Sequence, residues 1–235
     1  MEISRIEIKA NGISHPAARI FREGSRGTAL LLHGFGGNKE EMLGLGWRLA
    51  EFGFDSVSVD MRGHGENNSP MTSDLVADAS AIAAQIRSSK PVIAVGHSLG
   101  GRVALVSEAD YRIAISPAIG EAFSRELQQM IQFMRRYRVT EDSEDVFSVL
   151  ADMPNVTKLD SDRDFIVFGS RDVPEIMARC REIQETDNVR TIDMAQHGDI
   201  FLYEKTYRAI EEILDQCVVA SSPDTFSSDQ LFEIK

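Results

Sequence analysis

Two rhythms alternate along this chain. The first is a set of short strand-like segments: the apolar runs Thr28-Ala29-Leu30-Leu31-Leu32, Val92-Ile93-Ala94-Val95, Arg112-Ile113-Ala114-Ile115 and Phe165-Ile166-Val167-Phe168, with the more polar Phe54 to Val59 and Val189 to Met194, which also read as strands. Runs of this length without polar alternation predict strands buried on both faces, as in a parallel sheet. The second is the helical spacing between them. Leu75, Val76, Ala79, Ile82, Ala83 and Ile86 lie on one helical face, and residues 102–106, 174–185 and 201–217 also read as helices. Residues 1–23 differ, because apolar and polar residues alternate singly there, and Asn11-Gly12 and His15-Pro16 supply turns. They predict one or two antiparallel strands at a sheet edge. The sum is an α/β fold: one mostly parallel, doubly wound sheet with helices on both faces, joined by right-handed crossovers.

Two places break the rhythm. A helix is expected after Asn38, which with Glu41 forms a capping-box pattern, and Gly44 and Gly46 predict irregularity near its middle. Residues 120–158 leave the β–α order altogether. There Phe123, Leu127, Met130, Ile131 and Met134 fall on one helical face, followed by Arg135, Arg136 and Arg138, an acidic stretch from Glu141 to Asp145, and a short apolar segment at Val146-Phe147-Val149-Leu150. The whole chain is read as a single domain, 1–235, with 120–158 as a small helical lid and 218–235 as a loose tail.

The run from Val92 to Val95 ends in Gly96-His97-Ser98-Leu99-Gly100, and helix-forming residues follow at once. A Gly-x-Ser-x-Gly segment between strand and helix suits a sharp turn that lifts a serine hydroxyl above the sheet and leaves amide groups unpaired beside it. Such a serine needs a base. Of the five histidines, His197 follows the last strand on the carboxyl side of the sheet, where open α/β sheets carry their sites. His33 begins a glycine-rich turn and suits a structural hydrogen bond, His64 lies in a surface-type glycine loop, His15 sits near the edge, and His97 should point away from its neighbour Ser98. The acid that orients the base is Asp172, just past the run 165–168, with Asp60 as its competitor; Asp60 also suits a carboxylate that orders its own loop. Asp199 reads as an N-terminal residue of the final helix. The amides of Leu99 and Phe35 are placed to receive a developing oxyanion.

These segments resemble the α/β-hydrolase-fold serine hydrolases, in family order: His33-Gly34-Phe35-Gly36-Gly37, Asp60-Met61-Arg62-Gly63-His64-Gly65, Gly96 to Gly101, Gly169-Ser170-Arg171-Asp172 and His197-Gly198-Asp199. The resemblance implies an eight-stranded sheet and cleavage of a small or medium acyl ester or thioester through an acyl-enzyme, without a cofactor or metal. Ser98 is similar to the family's nucleophile, Asp172 to its acid, His197 to its base, and Phe35 and Leu99 to its oxyanion positions. Amide or carbon–carbon bond hydrolysis, peracid formation, and a non-catalytic binding module remain open on the same scaffold. Phe123, Leu127, Met130 and Met134 are the residues expected to line an acyl pocket. The Val173-Pro174 that follows Asp172 comes sooner than the family's common spacing, and the 120–158 insertion is short.

Charge changes this picture by exclusion. Lys+Arg 25 against Asp+Glu 37 gives a net charge of −12, which disfavours nucleic acid and anionic membranes as partners. A small-molecule acyl substrate fits better. No apolar run is long enough for a membrane span, residues 1–10 have no signal-type apolar core, and two cysteines make no disulfide framework. A cytoplasmic location is the expectation.

Overall fold

The computed structural model describes residues 1–120, 122–183 and 187–220. The chain opens with β1 (Glu2–Ala10) and β2 (Ile13–Phe21), an antiparallel hairpin whose turn residues Asn11 and Gly12 both take positive φ, 49° and 78°. That geometry is the left-handed two-residue turn that matches strand twist and that Asn-Gly favours. Next come β3 (Thr28–Leu32), α1 (Leu43–Glu51), β4 (Asp55–Val59) and α2 (Leu75–Ile86). β5 (Val92–His97), α3 (Leu99–Val106) and β6 (Tyr111–Ile115) follow. The departure from strand–helix alternation holds α4 (Arg125–Arg135) and α5 (Val146–Asp152). The chain then returns to the sheet with β7 (Asp164–Gly169), α6 (Pro174–Glu182), β8 (Val189–Ile192) and α7 (Glu204–Ala220).

Among the described residues, eight strands form one sheet in the order β1-β2-β4-β3-β5-β6-β7-β8. β2 pairs antiparallel with β1 and β4, and every pairing from β4 through β8 is parallel. The apolar runs are continuous because both sheet faces are covered. Leu30 and Leu32 point to the side where Leu75, Ala79, Ile82 and Val103 of α2 and α3 pack. Ala29 and Leu31 point to the other, against Leu45 and Leu49 of α1, in the same cluster as Ile210, Ile213 and Leu214 of α7. α6 covers the first side near β7 through Ile176 and Cys180 against Ile166 and Phe168. Chain order reverses at β3, whose neighbours are β4 and β5, so a crevice opens beyond the carboxyl ends of β3 and β5.

Several boundaries differ from the sequence expectation. The segment after Asn38 starts as a 3₁₀ turn, Lys39–Met42, and Asn38 accepts the Glu41 amide as the pattern predicts. The irregularity therefore lies at the start of this segment, while Gly44 and Gly46 sit inside regular α1. β8 stops at Ile192 because Met194 turns to φ 67°. A 3₁₀ turn at Ile200–Leu202 delays α7 to Glu204, so Asp199 does not begin that helix; its Oδ1 accepts the Gln196 amide at 2.6 Å instead. Phe123 precedes α4, whose N-cap is Ser124. The 218–235 segment continues α7 to Ala220, and residues 221–235 lie outside the described residues.

Candidate active site

Ser98 ends β5 and begins α3 with φ 53° and ψ −114°, a conformation that side-chain-bearing residues avoid. Such strain, on the order of 1–3 kcal/mol, persists only where the surroundings enforce it. Here the Ser98 amide donates to Ile115 O at 3.0 Å, and its carbonyl accepts from Arg102 and Ala118. The turn also needs glycine beside it, for a Cβ on Gly96 would lie 2.0 Å from Gly100 O and one on Gly100 would lie 2.1 Å from Leu32 O. The pentapeptide's glycines are thus set by backbone crossing at the elbow.

Two loops at the carboxyl end of the sheet converge with Ser98. The Ser98 hydroxyl lies 3.0 Å from His197 Nε2, and the His197 Nδ1–H donates to Asp172 Oδ1 at 2.8 Å. Asp172 is buried and also accepts the Val173 amide at 2.7 Å. Burial alone would raise its carboxyl pKa, but the His197 hydrogen bond and charge outweigh it and hold the group below the usual carboxylate range. The hydroxyl of buried Ser116 approaches the same carboxylate and adds to that lowering without reaching full hydrogen-bond geometry. The short spacing from Asp172 to Val173-Pro174 is accommodated, since the Val173 amide turns back onto the carboxylate.

Asp60 takes the other role open to it. Its Oδ1 accepts the Lys39 amide, and its Oδ2 accepts Lys39 Nζ and the Glu66 amide, each within 2.9 Å. It is wholly buried with Lys39, and the carboxylate that His197 meets is Asp172 instead. The other histidines are structural. His33 donates from Nδ1 to Gly34 O and accepts the Met61 amide at Nε2. Burial, with the nearby His64, lowers its pKa to about 3. His64 is buried rather than on the surface, and packs between His33 and the Phe35 ring, with centroids at 4.9 and 5.8 Å. His97 does not point away from Ser98 as its place in the turn suggests: it lines the same cavity, its Nε2–H donates to His197 O at 2.9 Å, and the two imidazoles sit 5.0 Å apart. This contact joins residues a hundred positions apart, and no local pattern announces it.

The amides of Phe35 and Leu99 have no hydrogen-bond partner among the described residues. Both residues line a cavity of about 410 Å³ over Ser98 and His197. Phe123, Leu127 and Met130 line it as expected from sequence. Met134 does not. It stands in the last turn of α4 and is 51% exposed, and its neighbour Arg135 lines the cavity instead. Ile131, Val146, Phe147 and Leu150 complete the wall, with the Phe147 ring 5.5 Å from that of Phe123. The apolar segment at 146–150 was visible in sequence; that it closes over this cavity is a matter of tertiary placement.

A doubly covered parallel sheet, a strained serine at the strand–helix turn and converging loops define the α/β hydrolase class. The family model described as "Alpha/beta hydrolase family" matches residues 29–233, and the chain belongs to that family. It is 29% identical over 116 residues to Lipase 3 of Moraxella sp. (strain TA144), a match that covers 46% of this chain and spans 36% of the lipase's length. Among solved structures, the α/β hydrolase GrgF from Penicillium sp. sh18 is similar with a TM-score of 0.68 and 15% identity, over 92% of this chain and 98% of the other. An esterase of Pyrococcus furiosus aligns with a TM-score of 0.66 and 19% identity over 92% of each chain. These likenesses establish the fold. The chain is accordingly a member of the α/β-hydrolase family that spans about a third of the length of the lipase it matches, and no described helix is long and apolar enough to cross a membrane.

Proposed function

We propose that this protein is a serine carboxylesterase or thioesterase for small or medium acyl substrates, working through an acyl-enzyme. One observation carries the reading: the continuous relay from the Ser98 hydroxyl to His197 Nε2, and from His197 Nδ1–H to Asp172. Ser98 Oγ attacks the acyl carbonyl carbon while its proton passes to His197 Nε2. The carbonyl oxygen becomes an oxyanion held by the unpaired amides of Phe35 and Leu99, each worth roughly 3 kcal/mol in such a role. Collapse expels the alcohol or thiol, which takes the proton from His197. Water then attacks the acyl-enzyme, gives its proton to His197, and the acid leaves as Ser98 is reprotonated. Asp172 keeps Nδ1 protonated, so Nε2 is free to accept, and its lowered pKa keeps it ionised while the imidazolium forms.

The cavity supports the size class. About 410 Å³ lined by Phe123, Leu127, Met130 and Leu150 suits an acyl chain of modest length. In this reading α4 and α5 cap the site within a single hydrolase domain. Ser98→Ala is expected to abolish p-nitrophenyl butyrate hydrolysis and fluorophosphonate labelling while the circular dichroism spectrum stays that of the wild type. Labelling of the wild type at a residue other than Ser98, or equal turnover by the variant, would overturn the assignment.

A further inference from the structure

Arg135, Arg136 and Arg138 form a cluster that the relay does not use, and the structure puts them in three different settings. Arg136 donates to the carbonyls of Val139, Thr140, Glu141 and Ser143, stapling the turn after α4. Arg138 donates to Gly36 O and pairs with Glu41 at 3.0 Å. The Arg135 side chain has no hydrogen-bond or ion-pair partner among the described residues.

Arg135 nevertheless sits against the catalytic region. Its stem lies on the glycine-rich turn after β3, where a Cβ on Gly36 would come 3.0 Å from Arg135 Cβ and 3.2 Å from Cδ. It lines the cavity that holds Ser98, and its charge is felt at His97, the residue before Ser98. Glu41 and Arg135 are the carboxylate and guanidinium of that lining, and Arg138 already neutralises Glu41. One uncompensated positive charge is left in a wall otherwise largely aliphatic and aromatic. A charge so placed loses hydration without gaining a partner, a cost that a bound anion reverses. The chain's net charge of −12 would repel an anion elsewhere on the surface, so a local cation is needed to admit one.

We propose that Arg135 binds a carboxylate on the substrate's acyl chain, so that the preferred ester or thioester is a half-ester of a short dicarboxylic acid. The guanidinium fork matches a carboxylate in two parallel hydrogen bonds, and the chain between the two carbonyl carbons crosses the apolar wall of Leu127 and Ile131. This inference rests on the hydrolase reading and names its substrate class.

The test pairs mono-p-nitrophenyl adipate with p-nitrophenyl hexanoate, acyl chains of equal carbon count that differ by the terminal carboxylate. The wild type is expected to favour the half-ester in kcat/KM. Arg135→Met, which keeps the stem on Gly36, lowers the anionic-to-neutral ratio by about tenfold or more, mainly through KM. Arg135→Lys retains part of the preference, and raising ionic strength erodes it. A second arm needs no turnover. Ser98→Ala is titrated calorimetrically with monomethyl adipate and with methyl hexanoate, and the half-ester binds more tightly unless Arg135→Met is added. A ratio below one in the wild type, a ratio unchanged by Arg135→Met, or equal binding of the two methyl esters overturns the inference. Selective, Arg135-dependent binding of monomethyl adipate without hydrolysis of either p-nitrophenyl ester by the wild type would instead sink the hydrolase reading and leave the anion site standing.

Discussion

Two aspartates leave the carboxyl ends of parallel strands, and their neighbours give them different work. Asp60 is enclosed with Lys39, whose amine would be pushed down by burial but is raised instead by its bonds to Asp60, Glu66 and Glu40. Removing the wholly buried carboxylate leaves the Lys39 ammonium to the more exposed Glu66 and Glu40, a loss that approaches the roughly 3–5 kcal/mol of a broken buried pair without reaching it. Asp60→Asn is therefore expected to lower the urea midpoint sharply, with the surviving folded protein keeping a near-normal kcat. Asp172→Asn should do the reverse. Its amide cannot hold the His197 tautomer, so kcat falls by several orders of magnitude while the urea midpoint moves little. Parallel urea titrations and kinetics on the two variants check this, and a large kcat loss confined to Asp60→Asn would reassign the acid.

Among the elements, α3 and α4 stand at opposite limits of burial. α3 buries Leu99 through Leu105 beneath the elbow, whereas α4 buries no residue and leaves Phe133 87% exposed. Local opening costs least where few apolar contacts must break. Amides of α4 are expected to exchange with deuterium at least a hundredfold faster than those of α3, as peptide-level exchange by mass spectrometry would show; equal protection would mean that α4 is held by contacts other than burial. The same contrast explains what could be read beforehand. Strands such as Ala29 to Leu32 and the elbow helix declare themselves through periods that reflect burial on fixed faces. α4 is legible as a helix from its spacing, but which of its side chains reach the cavity depends on how the helix lies over the sheet, which no period encodes. His64 reads as a surface loop residue because its burial comes from Phe35 and His33, met only across the fold. The bond from His97 to the His197 carbonyl was invisible for the same reason, while the placement of Ser98, Asp172 and His197 at one sheet edge followed from strand ends alone.

At the scale of the whole molecule, the histidines set an acid limit. Burial lowers the pKa of His15, His33 and His64, and enclosure beside His197 lowers that of His97 to about 4. A histidine depressed in the folded state contributes its full stability above the unfolded value near 6.5, and loses it as pH falls toward the folded value. For His33, folded value about 3, the loss is about 1.4 kcal/mol per pH unit below 6.5. Asp172, also depressed, adds to the loss only below the ordinary carboxylate range. The urea midpoint is expected to hold near neutrality and to fall steadily from pH 6.5 toward pH 4.5, before most carboxylates titrate. A midpoint flat across that interval would contradict neutral, buried imidazoles.

The relay also has a consequence in time. Ser98 and His197 are 99 positions apart, and their contact waits on β6, β7 and β8 pairing in parallel, each through a long crossover. Non-local parallel pairings are slow to close. On the proposed mechanism, catalytic competence is therefore among the last properties a refolding chain acquires, and a nascent chain that has not yet added β8 carries its strained serine without the imidazole it pairs with.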